Sequence, residues 1–472
     1  MADQSGVSKK LQAFLDELSP QARRMLVASI EAAKNRGEER PQFDAILSLV
    51  RPAIRKDGAV APRRDLVMRA FYEPFSPFFY DNFGNTKFPG RIARASLVPI
   101  WTWITRDVLP QRIDEMLQKF DGQPDSGEER QLEACAEQLR GEAFPLIRSH
   151  LEQLREVPRG LARLSVQLGN NRVLRDLEDL LAIEAHPELW NVLAMLPERI
   201  SALDVAPGAP VMMRIEQFLD DYGGDGFWLA AGILGRLERP GLLAKIATGL
   251  SGSDNGKAIA ASKYGVFVEA ALHEMDGVAD KFRHFLHNRA PDDKLIDCLK
   301  DYHSIQRKLV VEIDLDSEPE WVTKLANARR QLSELIKAEI ETTAGMVNRA
   351  LRYNPGADRQ GKYDEYLVTD AERALLLLVE TRRVIDSLAL NELLVTTWRR
   401  VEQALEILSA NLIQRLRGAP EDMPEDERQI IVGKLEAAIR FSAMIFGEDY
   451  ARSLRRSSAN AVSQAGKKNA AG

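Results

Sequence analysis

Between Leu394 and Leu412 the apolar side chains return through Trp398, Val401, Leu405 and Leu408 at intervals of 4, 3, 4, 3 and 4 residues. An α-helix completes a turn every 3.6 residues, so this spacing holds all six on one narrow seam over about three heptads. A strand would scatter the same residues over both faces of a sheet. The seam therefore predicts a long helix whose apolar edge must be covered by other helices, as in an antiparallel bundle or a short coiled coil. Leu325, Ala328, Leu332 and Leu335 form a similar seam upstream. Thr369-Asp370-Ala371-Glu372, just before the apolar run from Leu375 to Val379, has capping-box spacing and predicts a helix start there.

No stretch of the 472 residues shows convincing two-residue alternation, so the expected class is all-α. A chain this long exceeds one core, and turn formers suggest where it divides. We read a basic, aromatic-rich helical domain over 9–120, a middle block of short helices over 128–250, a bundle of long helices over 258–455 and a disordered tail over 456–472. Ser19-Pro20 and Pro41 mark the first two helix starts. The cluster at 121–127 and the stretch Ser251-Gly252-Ser253-Asp254-Asn255-Gly256 read as linkers.

Residues 71–110 concentrate 10 of the 32 aromatic residues (17 Phe, 9 Tyr, 6 Trp). Phe71, Tyr72, Phe75, Phe78, Phe79, Tyr80, Phe83 and Phe88 are threaded by Pro74, Pro77 and Pro89, and Trp101 and Trp103 follow. As core, the segment folds into an irregular hook under helices. As a surface, Arg91, Arg94, Trp101, Trp103 and Arg106 become candidates for gripping a protein partner or an anion. Arg91 and Arg94 would then stand in the first helical turns after Pro89-Gly90, where backbone N–H groups favour negative charge.

The net charge of −6 divides unevenly. Residues 1–112 hold 18 Lys/Arg and 12 Asp/Glu, a net of +6, which leaves −12 for the remainder. That imbalance suits docking on an acidic surface but is too dilute for general nucleic-acid binding. Two cysteines, Cys135 and Cys298, support neither a disulfide framework nor a Cys-built zinc site, and Cys135 reads as a small core residue. With no apolar leader and no run long enough for a transmembrane helix, a soluble cytoplasmic protein is expected.

Three patterns could carry chemistry. Asp220-Asp221-x-x-x-Asp225 and Asp292-Asp293-x-x-x-Asp297 resemble the diphosphate-binding motifs of isoprenoid synthases, which implies Mg²⁺ shared between carboxylates and a diphosphate leaving group. The rival reading is turn chemistry for the first and a helix start for the second. The companion motif of terpene synthases has its nearest match at Lys300 to Lys308, with lysines at two ligand positions. A second pattern, Glu269, His273, Asp276, Asp280, His284 and His287, lies opposite an apolar helical face and reads as a solvated stripe whose histidines titrate near pH 6. The third, Gly249 to Ala258, lacks the spacing and the Ser or Thr of a phosphate loop. We therefore expect a non-enzymatic scaffold or regulator that binds a protein partner or itself and needs no cofactor. The alternatives are a Mg²⁺-dependent diphosphate enzyme and, behind it, peripheral membrane attachment.

Overall fold

A computed structural model describes residues 63–81, 87–110, 112, 115, 128–353, 364–420 and 423–470, with isolated helical positions between 26 and 46. The helix starts expected at Ser19-Pro20 and Pro41, Phe83 and the 121–127 boundary lie outside the described residues. Among those described, the architecture is all-α, with 17 α-helices and two very short strands. The chain packs as two compact units, residues 1–281 with 308–318, and residues 282–307 with 319–472.

The first unit is organised around the aromatic segment. Helix α1 (Arg63–Tyr72) runs into a 3-10 turn over Glu73–Phe78, with Pro74 and Pro77 inside the turn. Strand β1 (Phe79–Tyr80) then pairs in parallel with β2 (Ile92–Ala93), and α2 (Arg94–Trp103) follows at once. Phe71 and Phe78 are fully buried, and Phe75, Tyr72 and Trp103 nearly so. All the described rings of the segment are core.

Rings from three helices meet it. They are Phe144 on α3 (Glu128–Glu156), Trp101 on α2, and Trp190, whose helix follows later in the chain. Phe71 lies 5.3 Å from Trp101 and 5.5 Å from Phe144, and Phe75 meets Trp190 edge-on at 5.5 Å. Tilted and edge-on pairs of this kind add to the burial of their area.

Short helices complete this unit: α4 (Gly160–Gln167), α5 (Asn171–Glu184), α6 (Pro187–Met195), α7 (Pro210–Asp221), α8 (Gly226–Leu234), α9 (Leu242–Ser251) and α10 (Gly256–Ala260). Helix α8 receives the aromatic hook because one side of it is nearly bare. A Cβ on Gly235 would lie 1.9 Å from the Pro77 carbonyl oxygen, and one on Gly232 would lie 3.1 Å from the Phe78 ring. The same helix accepts the Gly90 turn (φ +80°), where a Cβ would meet Trp228 at 2.9 Å.

The expected division at 250–258 falls inside this unit. The stretch is a tight connection. Asn255 caps α10, Asp314 donates its N–H to Asp254 at 2.7 Å, and Gly256 donates to Asp314 at 3.1 Å.

Helices α11 (Gly265–His287) and α12 (Asp292–Glu312) each contribute to both units, since the divisions fall after Lys281 and after Arg307. The second unit adds α13 (Pro319–Leu351), α14 (Glu365–Arg383), α15 (Asn391–Arg417), α16 (Glu425–Phe446) and α17 (Glu448–Ala470). Helix α13 packs on α14 and α15, while α15 packs on α16 and α17. Five of the six seam residues of α15 are buried, and Trp398 is half-buried beneath the Arg382 guanidinium at 4.0 Å.

Two boundaries differ from expectation. Helix α14 begins at Glu365, because the Asp364 carboxylate accepts the N–H groups of Tyr366 and Leu367; Thr369 lies inside the helix and bonds back to Glu365. At the other end, the stretch expected to be disordered continues α17 to Ala470. Ala451, Leu454 and Ala461 are buried in a core cluster with Leu412, Leu416, Leu435 and Ile439. Of these, only Ala461 lies in the stretch expected to be disordered; alanine costs no side-chain entropy in a helix, and composition alone hides its burial.

The hook's seat on α8 is testable. Gly235→Ala should destabilise the protein by about 3 kcal/mol, since backbone oxygen cannot yield 1 Å or more. Gly141→Ala in α3, where a Cβ would meet nothing within 4 Å, should be neutral or stabilising by about 0.5–1 kcal/mol. Urea denaturation of the two variants measures both.

Candidate functional site

Helix α5 is amphipathic with a charged insertion in its buried face. Its Asn170 cap accepts from the N–H groups of Arg172 and Val173. Arg172, Asp176 and Asp179 then recur at spacings of 4 and 3, alongside buried Val173, Leu177 and Leu180. Asp176 has no solvent exposure and accepts three donors: Lys87 at 2.5 Å, Ser96 Oγ at 2.6 Å and the Ala93 N–H at 3.2 Å. It thereby caps α2 from another helix, since the Ala93 N-cap position has no polar side chain of its own.

Lys87 is held equally fully. Its ammonium donates to Asp176, to Asp179 at 2.7 Å and to the Arg91 carbonyl at 2.7 Å, using all three protons. Asp179 also accepts the Gly90 N–H at 2.7 Å, which pins the turn that α8 receives. Burial pushes the Asp179 carboxyl above its usual range, against the pull of Lys87.

A second cluster adjoins the first. Arg91 is almost fully buried, its guanidinium over the Tyr80 ring at 4.8 Å and 3.4 Å from Glu274. Glu274 also receives Lys281 at 2.5 Å. Although burial opposes ionisation, Lys281 and Arg91 together hold the Glu274 carboxyl down at about 2. Arg172 donates to the Tyr80 hydroxyl, whose own ionisation is pushed up to about 12, chiefly by burial. His273 packs against Phe88 at 5.5 Å and is pushed down to about 4 by burial, with Arg91, Arg172 and Lys87 adding to the shift.

These contacts relocate the sequence candidates. Arg91 precedes α2 and is an internal ion-pair partner, while Trp101 and Trp103 are core residues. Arg94 is the first residue of α2, part-exposed and 3.6 Å from Asp81; Arg106 is exposed and bonded to Asp107. The five do not converge on one surface. The stripe on α11 is likewise less solvated than its polarity suggests, since Glu269, His273, Asp276, Asp280 and His284 are all half-buried, and His273 titrates well below pH 6. Cys135, expected in the core, is half-buried.

The aspartate motifs are placed by local structure. Asp220 and Asp221 end α7 exposed, with Asp220 bonded to Lys263, and Asp225 lies past the glycine break, 3.1 Å from His186. Asp292 and Asp293 open α12, Asp292 lies 3.1 Å from Arg373, and Asp297 is exposed one turn on. Among the described residues no three His, Cys, Asp or Glu side chains are grouped to hold a metal ion. No described helix is long and apolar enough to cross a membrane.

Sequence reasoning missed an open groove of about 290 Å³ in the second unit. One wall is a stripe of α13, from Ala326 through Arg329, Arg330, Ser333 and Glu334 to Lys337. The facing wall is Ala389 and Leu390, where the chain turns from α14 into α15. That turn is clamped from two helices. Arg329 donates to the Leu388 carbonyl at 2.7 Å, and Ser333 Oγ accepts the Ala389 N–H at 3.2 Å. From α12, His303 Nδ1 lies 2.7 Å from the buried Ser387 hydroxyl, which donates to Gln306 at 2.8 Å.

Three cations and one carboxylate line the groove, a net of +2 (3 − 1) in a chain of net −6, with Lys337 also paired to Glu341 at 3.7 Å one turn along α13. The only sequence signal was Arg329-Arg330 beside the predicted seam, and only the turn's position turns that pair into a site. No family model, curated protein or solved structure matches the chain.

The first unit's charged core makes two predictions. Asp176→Asn leaves Lys87 and the start of α2 short of an acceptor, and should lower stability by about 3 kcal/mol in urea melts. For His273 the folded group titrates near 4 and the unfolded one near 6.5. Between those values the unfolded state binds more protons, so its contribution is present above pH 6.5 and lost as pH falls toward 4. That loss is about 2 kcal/mol at pH 5. Comparing urea midpoints at pH 8 and pH 5, His273→Gln should show a correspondingly smaller fall than the parent chain.

Proposed function

We propose that this chain is a non-enzymatic interaction protein, a scaffold or regulator whose partner surface lies on the C-terminal helical unit. The observation that carries this reading is the groove between α13 and the α14–α15 turn. There, Arg330 and Lys337 stand exposed on a rigid helix, and the opposite wall is fixed by hydrogen bonds from α13 itself and from α12. A fixed concave surface with exposed long cations is suited to recognition, because little ordering is required when a partner arrives.

The first unit supports the same division of labour. Its polar groups of the kind that enzymes use, among them Asp176, Lys87, Glu274 and Arg91, are engaged with one another inside the fold. Their arrangement is that of a scaffold element, fixing the Gly90 turn and the start of α2.

The test is co-purification with the tagged full-length chain, carried out beside an Arg330→Glu, Lys337→Glu variant. A partner recovered in near-stoichiometric amount with the parent chain should be lost from the variant, with the thermal midpoint unchanged because both side chains are exposed. An unchanged set of partners in the variant would overturn the assignment of this surface.

A further inference from the structure

The shape and charge of the groove specify what fits it. Along α13 its residues fall at i, i+3, i+4, i+7, i+8 and i+11 from Ala326, a single face extending about 16 Å at 1.5 Å per residue. An inorganic anion would touch one end of such a stripe. Ala326, Ala389 and Leu390 present methyl groups, and the stems of Arg329, Arg330 and Lys337 add methylenes with the charge at their tips. The surface is thus aliphatic along its length and cationic at its edges.

Two further features add positive potential. Leu390, the N-cap residue of the 27-residue helix α15, makes no side-chain cap bond, so the positive end of that helix borders the groove with Glu392 in its first turn as the carboxylate set against it. The shielded Arg329 Nε has no hydrogen-bond partner, although Nη2 of the same guanidinium bonds Leu388.

From these features we infer that the groove takes an acidic amphipathic segment of a partner protein. Aliphatic residues of that segment lie along Ala326, Ala389 and Leu390, and its carboxylates meet Arg330, Lys337 and the start of α15. Charge complementarity favours this occupant over a second copy of the chain, whose net charge is also negative but whose docking would bring two chains of −6 together. Glu334, the one carboxylate in the lining, gives the site a register by disfavouring an acid directly opposite it. The inference rests on the partner surface proposed above and adds the chemistry of what binds there.

The experiment is fluorescence anisotropy with the full-length chain and a fluorescein-labelled peptide of about 12 residues, long enough to span the stripe, with Leu and Glu at helical spacing. Saturable binding is expected, weakening as NaCl rises from about 0.05 to about 0.3 M. The Arg330→Glu, Lys337→Glu variant should bind about tenfold or more weakly, and a peptide with Lys in place of Glu should not bind. An Arg399→Glu, Arg400→Glu variant, altered on the exposed face of α15, should retain affinity. No binding by the parent chain, equal loss in both double variants, or complete displacement by millimolar inorganic phosphate would each overturn the inference. If the peptide fails while the co-purified partner is still lost from the Arg330→Glu, Lys337→Glu variant, the acidic chemistry is wrong and the surface stands. If the peptide binds as expected while the partner persists, the site is confirmed but the proposed surface for that partner is not.

Discussion

One carboxylate holds the first unit in register. Asp176, with no access to water, ties down three points of one stretch 80–89 residues earlier in the chain: Lys87, the Ala93 N–H ahead of α2, and Ser96 within it. A buried charge is tolerated only when its hydrogen-bonding capacity is met, so each partner is also a constraint on backbone position. Asp179 repeats the device one turn further along, holding Lys87 and the Gly90 N–H. The apolar packing of the aromatic hook has no such directionality. The ion network gives the hook's return path a single solution.

That path also depends on missing side chains. Helix α8 lets Pro77 and Phe78 approach because Gly235 and Gly232 have no Cβ, and its Trp228 closes over Gly90 on the turn fixed by Asp179. The bare glycines of α8 thus admit the outward limb of the hook, while the polar clamp on α5 fixes its return. Strands β1 and β2, only two residues each, are a by-product of that placement, paired because the hook's exit and return run side by side.

Much of the architecture was legible because helical periodicity is a local property. The α15 seam from Leu394 to Leu412 could be read directly, and so could the start of α12 at Asp292 and the end of α7 at Asp221. What failed depended on partners elsewhere in the chain. Within the α17 extension beyond residue 455, Ala461 is buried in the core cluster shared with α15 and α16, and alanine in a polar stretch gives no sign of that. Arg91 looked like a surface cation because Glu274, its counter-charge, lies 183 residues away. The groove was hidden for the same reason, since Arg329 and Arg330 are ordinary helix residues until Ala389 and Leu390 face them.

The clamp at Ser387 has a consequence for acidity. A hydroxyl carries a single proton, and Ser387 gives it to the Gln306 oxygen, so the imidazole of His303 must be the donor at Nδ1. Its lone pair then resides on Nε2, the nitrogen not engaged by the serine. When acid charges this ring, the incoming proton adds at Nε2 and the link to Ser387 survives. The wall formed by Ala389 and Leu390 should keep its contour through that titration, so acid sensitivity in recognition would originate in carboxylates, either Glu334 of the lining or those of the bound molecule.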